Sequence, residues 1–93
     1  MNPALRRDNR KEPRRAADGD VRIWRSGPKQ IEIQGRLVDI SASGFRMAHE
    51  CNSLETGELV EFKHNEASGQ ARVIWNRISG QRVETGFLLE SRR

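Results

Sequence analysis

The chain has 93 residues, of which 34% are hydrophobic and 32% charged, and a formal net charge of +4. That length suits a single domain with a small core and a highly polar surface. Cys51 is the only cysteine, so no internal disulfide can form; no apolar run is long enough to cross a bilayer and no apolar stretch follows the charged N-terminus, so neither a membrane-spanning helix nor a secretory signal is expected, and a soluble cytoplasmic protein is.

Residues 1–19 read as a flexible, arginine-rich arm. They contain Asn2-Pro3, Pro13 and Asp18-Gly19, with Leu5 as the one sizeable apolar side chain, too little to order a segment by burial. Within residues 1–15, Arg6, Arg7, Arg10, Lys11, Arg14 and Arg15 face only Asp8 and Glu12, whereas the other 78 residues carry equal numbers of acidic and basic groups. The whole excess charge therefore lies in residues 1–15, and the chain beyond them is neutral.

The body reads as six short strands. Val21, Ile23 and Trp24 mark the first, ended by Ser26-Gly27-Pro28. Ile31, Ile33 and Leu37 share one face of the second, while Val38 and Ile40 fall on the other, a phase change that points to a bulge or twist near Gly35. Gly44 opens the third, where Phe45 and Met47 alternate with Arg46. His49 to Gly57 is a polar loop anchored by Leu54. Leu59 to Phe62 is the fourth strand, and His64 to Gly69 a turn. In the fifth, Ala71, Val73 and Trp75 alternate with Arg72, Ile74 and Asn76. After Ser79-Gly80, Val83, Thr85, Phe87 and Leu89 line one face of the sixth. Six strands spaced by turn signals predict an all-β fold, a small antiparallel barrel or sandwich.

Two motifs carry candidate chemistry. Asp39-Ile40-Ser41-Ala42-Ser43-Gly44 has the composition of a turn, in which Asp or Ser caps the backbone and Gly supplies a positive φ. The same loop suits a guanine, whose N1–H and exocyclic amine are a donor pair for the Asp39 carboxylate, with Ser41 adding a hydrogen bond and Gly44 permitting close approach. Arg10-Lys11-Glu12-Pro13-Arg14 supplies the complement, since guanidinium groups bind guanine acceptors, phosphates and aromatic faces. Either motif alone fits a bland reading, a solvated tail or an ordinary hairpin.

Arg10-x-x-x-Arg14 in an N-terminal arm, followed by Asp39-x-Ser41-x-x-Gly44 within a six-stranded barrel, resembles the PilZ domain, a bacterial receptor domain for cyclic di-GMP. The resemblance covers essentially the whole chain, because Ala71–Trp75 and Gly86-Phe87 also look like that domain's closing strands. It implies a six-stranded antiparallel PilZ-like barrel over residues 20–93, with the basic arm folding over it on ligand binding. It further implies that Arg10 and Arg14 grip guanine and phosphate, that Asp39 and Ser41 hold a guanine edge, and that Gly44 shapes the turn. Lys11 resembles an often basic position that touches phosphate, and Arg15 beside Arg14 joins the same basic set. Trp75 resembles an aromatic that stacks on guanine in some members, although its alternation with Ala71 and Val73 equally fits a core residue. Arg6–Arg10 is a second frame for the arginine motif, and Pro13 favours the later one. The chain stops at Arg93, just past strand six, so the C-terminal helix that often packs on this barrel is not expected.

His49, Cys51 and His64 lack a standard zinc spacing, and there is no glycine-rich phosphate loop, no Ser-His-Asp arrangement and no carboxylate pair in an apolar setting. The sequence thus predicts no enzyme, no metal and no cofactor. The resemblance implies a cyclic di-GMP receptor acting on a downstream protein partner, and no membrane insertion is expected. A nucleic-acid-binding module using the arm, and a PilZ-like adaptor without ligand, are the alternatives.

Overall fold

The computed structural model describes residues 13–27 and 31–90, in which the alternation of apolar and polar side chains is realised as seven strands. The strands are β1 (Arg15–Ala16), β2 (Asp20–Arg25), β3 (Glu32–Ser41), β4 (Gly44–His49), β5 (Leu59–His64), β6 (Ala67–Ser79) and β7 (Arg82–Leu89). Their order is β1-β3-β2-β5-β6-β7-β4, and β4 returns to pair with β3. β2 to β7 therefore close a six-stranded antiparallel barrel, with β1 as an extra strand beside β3. The described residues are all-β with no helix, so none could provide a helix long and apolar enough to cross a membrane.

Closure leaves one continuous interior. Val21, Ile23, Ile33, Leu37, Phe45, Met47, Val60, Phe62, Ala71, Val73 and Phe87 are buried there, and Leu54 seals it from the loop after β4. Phe45 is the centre of an aromatic group. Its ring stacks on Phe87 at 4.7 Å between centroids, tilts against Phe62 at 4.8 Å, and meets the His64 ring edge-on at 5.1 Å. Such contacts add to the gain from burying the rings themselves.

Two bulges set which side chains reach the outside. On the β3–β4 ladder Leu37 lies opposite Met47, but Asp39 lies opposite Arg46, leaving Val38 as the extra residue. Leu37 thus faces the core with Met47, and Asp39 turns outward with Arg46, while Ile40 returns to pack against the core. The phase change read in this strand is present, but it falls at Val38 rather than near Gly35. Gly35 instead allows two strands to approach closely, since a Cβ there would lie 2.3 Å from the Ala48 carbonyl oxygen and 2.6 Å from the Met47 methyl.

The second bulge is on β6. Val73 lies opposite Phe87 and Trp75 opposite Gly86, so Ile74 is the inserted residue. The alternation that put Trp75 with Ala71 and Val73 is broken there, and Trp75 is half-buried outside the core cluster. Its core reading is corrected by that one residue.

Other differences are local. Ile31 precedes β3 and is 49% exposed, because pairing starts at Glu32; it does not share the buried face of Ile33 and Leu37. The β5–β6 connection shrinks to Asn65-Glu66, since main-chain pairing continues through His64 and Ala67 whatever their polarity. The last residues of the arm join the sheet: Arg15 and Ala16 pair with Ile40 and Asp39, and the Ala17 amide donates to the Val38 carbonyl at 3.1 Å.

Candidate functional site

In an antiparallel ladder, directly opposed residues share a face. Ala16 opposes Asp39, Asp39 opposes Arg46, Arg46 opposes Gly86, and Gly86 opposes Trp75. These residues form one row across β1, β3, β4, β7 and β6 on the outer wall. Arg46 points outward because Phe45 and Met47, its neighbours, point in. Asp39 and Trp75 join it only because each follows a bulge.

The Asp39 carboxylate is the hub of this row. Arg46 donates its Nε–H to Oδ1 at 3.0 Å and Oδ2 at 2.9 Å, and its Nη2 to Oδ2. From the arm side Arg14 donates Nε–H and Nη2–H to Oδ1 at 3.3 and 3.2 Å. Arg14 also reaches the Ser41 hydroxyl through Nη1 in a long, 3.5 Å contact. Only 9% of the Asp39 side chain is exposed, against 30% for Arg46 and 42% for Arg14. A buried carboxylate thus lies between two guanidinium groups that still reach solvent. Hydrogen bonding from Arg46 holds the Asp39 carboxyl below the usual carboxylate range, burial opposes this, and Arg14 adds to the lowering.

Ser41 and Gly44 oppose each other at the hairpin end, with Ala42-Ser43 as the turn. Ser41 is buried, and its hydroxyl lies within a long hydrogen-bond distance of both Arg14 and the Gly44 carbonyl. Gly44 is not among the positive-φ glycines, which corrects the expectation that it supplies left-handed backbone. What excludes a side chain is β7: a Cβ at Gly44 would lie 2.0 Å from the Phe87 carbonyl oxygen. The close approach is made by the protein's own backbone.

At the far end of the row the indole of Trp75 covers Gly86. A Cβ at Gly86 would lie 2.4 Å from the indole Nε1 and 2.5 Å from Cε2. Glycine therefore lets the ring lie down on the barrel wall, in the same row as Arg46.

Of the residues singled out in the sequence, Arg14, Asp39, Ser41 and Gly44 come together, and Trp75 lies in the same row. Arg15 goes elsewhere: it opposes Ile40 rather than Asp39 and is ion-paired with Glu66 in the β5–β6 turn. Arg10 and Lys11 lie outside the described residues. Arg46 was not among the candidate ligand-binding residues. Once Ser41 and Gly44 are taken as a two-residue hairpin, antiparallel counting puts Arg46 opposite Asp39, so the signal was present in the spacing.

The two histidines serve the barrel. The Cys51 amide donates to His49 Nδ1 at 3.0 Å, which makes Nε2 the protonated nitrogen, 2.7 Å from the Thr85 hydroxyl. Thr85 in turn donates to Asn76 Oδ1 at 2.6 Å, and Asn76 Nδ2 donates to the Leu54 carbonyl at 3.0 Å. His64 accepts the Glu66 amide at 3.2 Å and packs on the Phe45 and Phe62 rings. Among the described residues no three His, Cys, Asp or Glu side chains group as a metal site would require.

No family model matches the chain, and no curated protein matches it.

Proposed function

We propose that this chain is a receptor domain for cyclic di-GMP whose output passes to a protein partner. The observation that supports this reading most is the single outer row of Asp39, Arg46, Gly86 and Trp75, with Arg14 bonded to the Asp39 end of it. A cyclic dinucleotide has guanine edges with paired N–H donors, purine faces and two phosphate charges. Asp39 suits the donors, the Trp75 face suits the purine, and the guanidinium groups suit the phosphates. Arg10 and Lys11 would add cations as the arm closes.

The chemistry also says what the site rejects. Adenine has a lone pair at N1, where guanine has N–H, and would turn it toward a carboxylate. Cyclic di-AMP should therefore fail even though its phosphates are the same. The partner-facing change would be made by the arm as it takes up the ligand.

Calorimetric titration with cyclic di-GMP, cyclic di-AMP and a short oligonucleotide tests the proposal. Saturable binding of cyclic di-GMP alone supports it. Tighter binding of the oligonucleotide favours a nucleic-acid module, and no heat with any of the three favours an adaptor that needs no ligand.

A further inference from the structure

The two arginines on Asp39 are not equivalent. Arg46 is in the middle of β4, directly opposite Asp39, and its Nε–H is shared between both carboxylate oxygens. Arg14 precedes a strand of only two residues, uses one oxygen, and is the more exposed. One clamp is part of the barrel wall, and the other is the end of a strap.

The groups that Arg14 offers are also informative. Its Nε–H and Nη2–H are adjacent N–H donors on one sp² carbon. Guanine presents the same pattern, N1–H and the exocyclic amine on C2. In this structure Asp39 therefore already accepts a guanidine-type donor pair, and together with Arg46 it receives five N–H···O contacts. A carboxylate so fully engaged has no acceptor left for a guanine until one arginine leaves. The weaker-held one is Arg14.

We propose that Arg14 is an internal surrogate for the ligand's guanine edge on Asp39, displaced when the ligand binds, and that Arg46 is the positioning residue that keeps the carboxylate in place throughout. This rests on the cyclic di-GMP reading for the exchange step, but the ranking of the two arginines does not. Once displaced, Arg14 is within reach of the ligand's phosphates, so its removal both frees Asp39 and loses a phosphate contact. Arg46 lies between Asp39 and the Trp75–Gly86 platform, so it also sets the spacing between the guanine edge and the stacking face.

The test uses the full chain with ¹⁵N-labelled arginine side chains and ¹³C-labelled carboxyls, as wild type, Arg14→Gln, Arg46→Gln and Arg46→Lys. In the free protein the Asp39 titration should move up in both Arg46 variants by more than in Arg14→Gln. Lysine should not rescue, because it cannot bridge both oxygens with one planar fork. An equal or larger shift in Arg14→Gln overturns the ranking. On saturation with cyclic di-GMP, the Arg14 Nε–H signal should shift while that of Arg46 stays. Movement of Arg46 with Arg14 fixed overturns the exchange. If cyclic di-GMP shifts neither signal, the ligand reading and the exchange both fail, and the free-protein titration still decides which arginine positions Asp39.

Discussion

Trp75 and Gly86 form a fitted pair: the indole occupies the space that any side chain at 86 would need, within 2.4 Å of its Cβ position. The pair exists because Ile74 bulges out of the β6–β7 ladder and turns Trp75 from the interior to the outer wall. An aromatic face in the same row as Arg46 is thus created by one inserted residue.

Gly86→Ala should lift the indole off the wall. The expected cost to stability is about 1–3 kcal/mol, as for overpacking at a close contact. In a Trp24→Phe background, which removes the other indole, the Trp75 emission should shift and the affinity for cyclic di-GMP should fall. Unchanged emission with unchanged melting would show that the indole has no fixed seat.

Gly44→Ala should be at least as damaging to the fold, since its Cβ would meet backbone rather than a movable ring. Denaturant unfolding should show a loss of roughly 1–3 kcal/mol or more. A glycine needed only for left-handed φ would behave differently, because D-alanine would then be tolerated there. At Gly44 neither enantiomer should restore wild-type stability, which a semisynthetic chain can check by its melting temperature.

Asp39→Ala separates site from scaffold. It leaves Arg14 and Arg46 without their shared acceptor, but both reach solvent and can be hydrated, so the cost should be only about 1 kcal/mol. Ligand binding, in contrast, should disappear. A large loss of stability with retained binding would show that the carboxylate is structural.

Two pH dependences follow from the histidines and from Asp39. Burial holds the imidazoles of His49 and His64 below their ordinary value, so the unfolded chain takes up their protons first. Their contribution is complete above about pH 6.5, the unfolded value, and is lost as pH falls. For His49 the reason is geometric: a proton on Nδ1 would confront the Cys51 N–H. Melting temperature should therefore drop between pH 7 and 5, and His49→Gln should flatten part of that slope. Asp39 acts lower, because its folded value lies below its unfolded one. Its contribution is present above about pH 4 and is lost as pH falls through the folded value.

Phe45→Ala should be the most destabilising of the simple truncations, at about 3–5 kcal/mol, because that ring contacts Phe62, His64 and Phe87 together. For a barrel this small that is a large share of total stability. Loss of cooperative unfolding in this variant is the expected result.

The barrel was legible because its code is local: Val21 and Ile23, Phe45 and Met47, Val60 and Phe62 alternate with polar residues, and all six are buried. The site was half legible. Asp39, Ser41 and Gly44 form a motif that can be seen in the chain, but Arg46 becomes visible only through cross-strand pairing. Trp75 was ambiguous for a definite reason. A bulge shifts the period by one, and nothing in Val73-Ile74-Trp75 marks Ile74 as the inserted residue. Ile31 was misplaced on the same ground, since an apolar residue at a strand end looks like one more member of the alternation.

The most direct measurement is a calorimetric titration of cyclic di-GMP into the wild-type chain and into Arg14→Ala and Asp39→Ala, each first shown to be folded. Saturable binding to the wild type is expected, weakened when Arg14 is removed and abolished when Asp39 is removed. Equal heats for wild type and Asp39→Ala, or no binding by the wild type, would contradict a receptor built on this carboxylate.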